Sequence, residues 1–405
     1  MAVLSEGGSG GGFRPSMLLS DTRYRALTIQ VVAFLLFLFA IAYLLNNALA
    51  NLAAQGQTFS FRFLAQPAGY DINQRIIDYN SRMSHGRAAL VGVLNTLLVA
   101  FIGCITATII GVVAGILRLS TNWLVSKVMS AYVEVFRNIP VLIVILTIYA
   151  VMTELMPAPN AFRGDDPAAR MLLWDSVAIT NRGIYTPVPV MGEGALIVVA
   201  VFLASIVGAI WFGRYAKARL FATGEMLPVL RIQLAILVLP ALAVFFLLGR
   251  PIGLETPELS GFNFQGGLHL RGPFIALWFA LSIYTAAFIA ENVRAGIQAV
   301  ARGQTEAAYS LGLPPRRTMR LVILPQALRV IVPPLISHYL NLTKNSSLAI
   351  AVGYMDVTAT TRITLNQTGR AIESILLLMA FYLTISLAIS AFMNWYNARI
   401  RLKER

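Results

Sequence analysis

The sequence predicts an all-α, polytopic membrane protein with about eight transmembrane helices, and three observations carry that prediction. Hydrophobic residues make up 57% of the 405 and charged residues only 12%. With a mean hydropathy of +0.71, too little charge remains to cover a soluble surface. Eight apolar runs come close to or exceed the roughly 20 residues that cross about 30 Å of hydrocarbon. The basic residues, finally, sort by side once those runs are treated as spans.

The elements follow in chain order. Residues 1–26 include the Gly/Ser-rich stretch "SEGGSGGGF" and read as a disordered cytoplasmic tail. The run 27–49 starts too late and runs too long for a cleavable signal, so it is expected as a retained N-terminal span. An outer loop, 50–87, leads to spans 88–117 and 126–153, the second interrupted by Glu134 and Arg137. An insert, 154–271, holds outer loops and spans 194–213 and 231–249. Region 272–398 carries spans 272–293, 327–352 and 374–396, with a polar loop, 296–326, between the first two. Within span 327–352, Pro333 and Pro334 predict a kink or break. The chain closes on a basic tail, 399–405. Segments 50–87 and 154–193 lack strand alternation and long amphipathic runs, so ordered caps and mobile loops both remain open for them.

With the N-terminus placed inside, the cytoplasmic segments collect 20 of the 32 lysines and arginines and nearly all of the net charge of +14. The positive-inside rule accounts for such a bias. The basic balance therefore reports topology with both termini in the cytoplasm and contact with membrane lipid, not nucleic-acid binding. Cys104, inside an apolar run, reads as a packing residue.

One segment is too polar to span and too patterned for a casual loop: "GQTEAAYSLGLPPRRTMRLVILPQ", Gly303 to Gln326. Thr305 is a candidate N-cap and Glu306 suits the positive end of a helix. Gly312 suits a left-handed terminus, and Pro314 and Pro315 the first turn of a second helix ending near Pro325. The topology puts this pair of short helices on the cytoplasmic surface. There it would serve as a docking knob, or as an amphipathic elbow with its arginines facing lipid headgroups.

The ordered string Glu306-Ala307-Ala308, Gly312, Leu313, then Val322, Leu324 and Pro325 resembles the EAA loop of ABC importer permeases, with Val322 in place of the usual isoleucine. The similarity extends to Leu90–Ser120, Tyr132–Tyr149, Tyr284–Gln304 and Leu342–Val357, which resemble polar amino-acid permeases. The extra N-terminal span and the insert resemble the long permease of bacterial general L-amino-acid importers. The resemblance implies a permease core in two parts, 88–153 and 272–398, in a bacterial inner membrane. It implies that Glu306–Leu313 is a coupling helix docked on cytoplasmic ATP-binding subunits. A second, similar permease and a periplasmic amino-acid-binding protein would complete the assembly, with ATP and Mg held in the partner ATPase and no cofactor in this chain.

No G-x-x-x-x-G-K-[ST] occurs, and the dipeptide Gly-Lys is absent, so hydrolysis would have to be borrowed. The three histidines are scattered, without metal-ligand or nucleophile motifs, so no catalytic or metal residues are expected. Charged groups at membrane depth are functional candidates. Lys344, followed by Asn345, Ser346 and Ser347, lies beyond the proline pair; it either lines a substrate path or snorkels and pairs structurally. The related permeases carry aspartate where this chain has Asn345. Glu134, Arg137 and Asn138, and Glu291 with Arg294, are expected at an inner gate or subunit contact, with each Glu–Arg pair at helical i,i+3 spacing. The rival reading is an ion-gradient-driven secondary amino-acid transporter, which should show repeated halves with matching broken helices.

Overall fold

The computed structural model describes residues 22–54, 56, 58–164 and 166–400. Most of the expected N-terminal tail and residues 401–405 of the basic tail therefore lie outside the described residues. The chain divides into two compact units, through Ala65 and from Gln66 onward. The first contains α1 (Thr22–Ala54) and a 3₁₀ turn, Arg62–Ala65. Leucine, isoleucine and phenylalanine are exposed all around α1 from Leu27 to Leu49, the surface of a helix solvated by lipid rather than water.

The second unit is built on two helices, α2 (His85–Leu117) and α7 (Gly272–Gln298). Glycines on α2 let the two backbones approach. A Cβ at Gly111 would lie 2.6 Å from Ile289 Cβ, and one at Gly115 would lie 2.7 Å from the Ala290 carbonyl. Small residues commonly set membrane-helix contacts in this way. Around this seam Val99, Leu277, Leu281, Ile289, Leu342 and Tyr354 form the main buried cluster.

The expected span 126–153 is two helices. Trp123–Asn138 (α3) and Val141–Ala150 (α4, extended by a π turn, Val151–Leu155) meet at 108°. Pro140 is the cause: it lacks an N–H and drives Ile139 into the extended conformation, φ −95° and ψ 135°. Conversely, the break expected at Pro333-Pro334 is not there. Helical structure starts at α9 (Pro315–Thr318), passes through a π turn (Met319–Ile323) and continues in α10 (Leu324–Asn345), which contains both prolines. The lost hydrogen bonds are tolerated on the exposed side of a helix whose Ile331 and Val332 are buried. The change in geometry comes later, where Ser346–Val352 tightens to a 3₁₀ turn ended by Gly353 at φ +75°. After it come α11 (Val357–Thr368) and α12 (Ala371–Ile400).

The insert supplies a helical hairpin, α5 (Ala195–Thr223) and α6 (Val229–Leu247), in which Gln233 Nε2 donates to the Ala209 carbonyl at 2.9 Å. Its loops fold into short strands that the sequence did not suggest. Strands β1 (Ala178–Thr180) and β2 (Gly183–Thr186) join β7 (Leu268–Arg271) in an antiparallel sheet. Two further ribbons pair β3 (Val188–Met191) with β4 (Ile252–Glu255), and β5 (Glu258–Ser260) with β6 (Asn263–Gln265). The segment after Ala65 is likewise ordered, with Ala68, Ile72 and Tyr79 packed on Ala88 and Val91 of α2. Of the two segments left open by the sequence, residues 66–87 and the insert loops, which form a β cap, are thus ordered.

Candidate functional site

The polar segment between α7 and α10 folds as a hook. Its first arm is α8 (Arg302–Ser310), four residues earlier than Thr305 capping suggests, with Ala301 in the cap position and no side-chain cap. Gly312 closes it at φ +74°, its N–H donating to the Tyr309 carbonyl at 2.9 Å, while Leu313 N–H reaches the Ala308 carbonyl at 3.1 Å. Pro314 caps α9, with Pro315 in its first turn. The second short helix expected to end near Pro325 is instead the start of the long α9–α10 rod, in which Leu324 and Pro325 form the first turn of α10. Buried Thr318 fixes the turn by donating toward the Leu313 and Pro314 carbonyls, 3.3 Å each. Gln326 bridges back to Gln304 at 3.2 Å.

The arm divides its residues cleanly. Ala308 is 3% exposed and faces the rod, whereas Glu306, Ala307 and Gly312 are exposed. Two large apolar side chains beside them are also uncovered, Tyr309 at 50% and Leu311 at 81%. A short polar helix that presents apolar anchors next to small residues has the composition of a docking face.

Lys344 is the last basic residue of α10 and is exposed, Asn345 and Ser347 are half-buried, and Ser346 is buried. The helix narrows at this point, and Ser346 Oγ donates to the Thr343 carbonyl at 2.7 Å. The four expected path residues therefore sit where α10 gives way to the 3₁₀ turn.

At the other end the two Glu–Arg pairs behave differently. Glu291 bonds both Arg118 and Arg294, the latter at 2.5 Å, so the i,i+3 pair is real and joined by a partner from the end of α2. Sequence spacing could not find Arg118, which lies 173 residues away from Glu291. Glu134 and Arg137 form no ion pair with each other among the described residues; all three of Glu134, Arg137 and Asn138 are exposed. Arg137 lies over the Phe288 ring at 5.6 Å instead, and Asn138 Nδ2 donates to the Glu134 carbonyl at 2.8 Å. Phe288 in turn packs on His338 at 5.7 Å, so Arg137 links α3, α7 and α10.

A polar cluster in the first half of α2 was missed. Asn95 Nδ2 donates to the carbonyls of Gln74 (2.8 Å) and Met355 (2.9 Å), and Thr96 Oγ1 accepts the Val357 N–H at 3.0 Å. Tyr354 OH donates to the Asn95 carbonyl at 3.1 Å. These bonds pin the chain that follows the 3₁₀ turn to α2. Asp356 caps α11 through the Ala359 N–H at 2.8 Å, and burial pushes its carboxyl up to about 6 despite that bond. The available signal was an Asn-Thr pair within an apolar run, polar atoms that hydrocarbon cannot satisfy.

A bent helix pair, a small-residue seam, polar groups at the 3₁₀ turn and an exposed surface hook are features of a multi-pass membrane protein. Comparison with known proteins makes this specific. Residues 226–402 match the family of binding-protein-dependent transport system inner membrane components. The chain is 53% identical over 97% of its length to the glutamate/glutamine/aspartate/asparagine transport system permease protein of Rhodobacter capsulatus, spanning 98% of that protein. It is 43% identical to the general L-amino acid transport system permease protein of Rhizobium johnstonii, covering 98% of this chain and 97% of the relative. A putative amino-acid ABC transporter permease protein of Escherichia coli is also 43% identical, over 96% and 98%. The chain belongs to this family of ABC amino-acid permeases: it is a multi-pass transport subunit. Family membership sets aside the ion-gradient-driven secondary transporter.

Proposed function

We propose that the chain forms, with a second and similar permease, the membrane path of an ATP-driven importer of polar L-amino acids. Near-full-length identity to permeases named for such amino acids is the observation that carries this reading. A binding protein delivers substrate at the outer face, where the β cap and the Asn95 cluster lie. ATP and Mg are held by the separate ATP-binding subunits, and hydrolysis reaches the spans through α8. The exposed Glu306, Ala307, Tyr309 and Leu311 support that role, because a partner cleft would bury them. The rod from Pro315 to Val352 joins α9 directly to Lys344–Ser347, so a push on the hook is delivered to the narrowed turn. Arg118, Glu291, Arg294 and Arg137 hold the inner ends of α2, α3 and α7 in register. The hook, the inner-membrane location and the positive-inside charge bias are consistent with both termini in the cytoplasm.

The test is uptake of labelled L-glutamine into vesicles holding the chain and its partner subunits. Accumulation should require ATP on the hook side and binding protein on the other. Accumulation driven by an ion gradient with no ATP-binding subunit would overturn the reading.

A further inference from the structure

A cavity of about 100 Å³ lies where the insert meets the permease core. Its walls come from three separate stretches: Asn73 and Gln74 of the first outer segment, Arg182 and Arg271 of the β cap, and Gly353–Met355 after the 3₁₀ turn. The parts are fixed by hydrogen bonds. Gln74 Oε1 accepts the Arg271 N–H at 3.4 Å, the Arg182 carbonyl accepts the Gly272 N–H at 3.1 Å, and Asn95 ties the Gln74 and Met355 carbonyls to α2. Arg182 Nη1 donates to the Phe262 carbonyl at 3.2 Å, which sets its side chain across the sheet edge.

The charge of this cavity is one-sided. Two arginines line it and no aspartate or glutamate does. Among the described residues neither arginine forms an ion pair. Nearby His269, stacked on Tyr185 with ring centroids 4.1 Å apart, is held below its ordinary pKa by burial, and the positive charges of Arg271 and Arg182 add to that shift. The imidazole is therefore neutral at pH 7 and the positive field belongs to the arginines. Pro273 and the first turn of the 27-residue α7 complete the wall, and a helix start favours an anion. Two arginines with no carboxylate partner among the described residues, at a concave site, suit a carboxylate ligand. The volume fits the backbone end of an amino acid, and a broad protein surface would not enter it. Beyond Gly353 the same chain leads back through the 3₁₀ turn to Lys344–Ser347.

We infer that this cavity receives the α-carboxylate of the amino acid at the outer mouth of the path, with Arg182 and Arg271 as its binding residues. The insert thereby acquires a role: it contributes half of an entry site. This inference rests on the amino-acid importer reading, and the experiment separates the two.

The complete importer, reconstituted in nanodiscs without binding protein, is titrated with labelled L-glutamine, and with glutamine whose α-carboxylate is converted to a carboxamide. The intact complex should bind glutamine at millimolar concentration or below. The R182Q/R271Q pair should bind at least about tenfold more weakly, from the loss of charge-assisted bonds. The carboxamide should bind the unaltered complex as poorly as glutamine binds the double variant. R182K, which keeps the charge, should retain most of the affinity and serves as the folding control. Equal binding by unaltered and R182Q/R271Q complexes, no binding by the unaltered complex, or carboxamide binding equal to that of glutamine would each overturn the inference. So would a double variant that loses affinity only for the binding protein, which would make the arginines a docking contact. Normal ATP-driven uptake alongside any of these results would leave the importer reading standing.

Discussion

Two pairs of helices in this protein are each long and apolar enough to cross a membrane, yet they are built on opposite plans. In the core pair, 67% of the apolar window of α7 and 33% of that of α2 are buried, whereas in the insert hairpin the figures are 17% for α5 and none for α6. The difference lies in side-chain size at the seam rather than in apolar content. The core pair meets where glycines of α2 face Ile289 and the Ala290 backbone, but in the hairpin a Cβ at Gly208 would come no closer than 3.4 Å to Ile236, and the close approach at Gly213, 2.5 Å, is to the flexible end of Gln233. Lipid is as apolar as leucine, so association in the membrane follows close packing and polar bonds. The core is tightly seated, and the hairpin leaves most of its apolar surface uncovered by the rest of the chain.

The largest effect expected from this contrast is at Gly111. Gly111→Leu would force a side chain into Ile289 and the Ala286 carbonyl, destabilising the core by about 3 kcal/mol or more. The yield of monodisperse, detergent-extracted protein should collapse, and a normal yield with a normal melting temperature would mean that the α2–α7 seam is not tight. Next is Glu291→Gln, which leaves Arg118 and Arg294 without their shared carboxylate. These side chains are 11–29% exposed, so the loss should fall to about 2–4 kcal/mol, at or below that of a fully buried pair. Thermal unfolding of the purified chain reads it directly, and an unchanged midpoint would show that the trio contributes nothing.

The same contrast explains what could be read from sequence. Spans and the Glu306–Pro325 string are local or additive properties, so apolar runs and spacing expose them. The bend at Ile139–Pro140 was locally encoded as well, but Glu134 and Arg137 drew attention to charge when proline geometry decided the backbone. At Pro333-Pro334 the local rule overreached, because the helix tolerates its two missing donors on an exposed face. Arg118 and the Asn95–Met355 bonds join residues far apart in sequence, and no periodicity carries such pairs. The strands of the β cap are three or four residues each, too short to alternate visibly.

A smaller effect is expected at Asp356, which tests how tightly the outer cluster is closed. Its carboxyl sits at about 6 in the folded protein against an ordinary value of 3.8. The native state therefore binds that proton more tightly than the unfolded chain. The associated stability is full below about pH 4 and is lost as the pH rises through 6. Asp356→Asn keeps a capping side chain but cannot titrate, so its melting temperature should change less than that of the unaltered protein between pH 4 and 7. Identical pH profiles would mean that water reaches the carboxyl. The smallest effect belongs to the hairpin: Gly208→Ala, with only an ordinary van der Waals contact to make, should shift stability by less than about 1 kcal/mol in the same melting assay. A shift as large as that of Gly111→Leu would erase the distinction between the two helix pairs.

The central claim is that α8 transmits the partner's ATP cycle to the rod carrying Lys344. It is tested most directly by the number of L-glutamine molecules accumulated per ATP hydrolysed in reconstituted vesicles, for the unaltered chain and for Glu306→Lys. Glu306 is exposed and no ion pair engages it among the described residues, so the change should leave folding and membrane insertion intact. The account predicts that hydrolysis persists while accumulation falls at least tenfold, which lowers the ratio by the same factor. An unchanged ratio in the Glu306→Lys complex would contradict it.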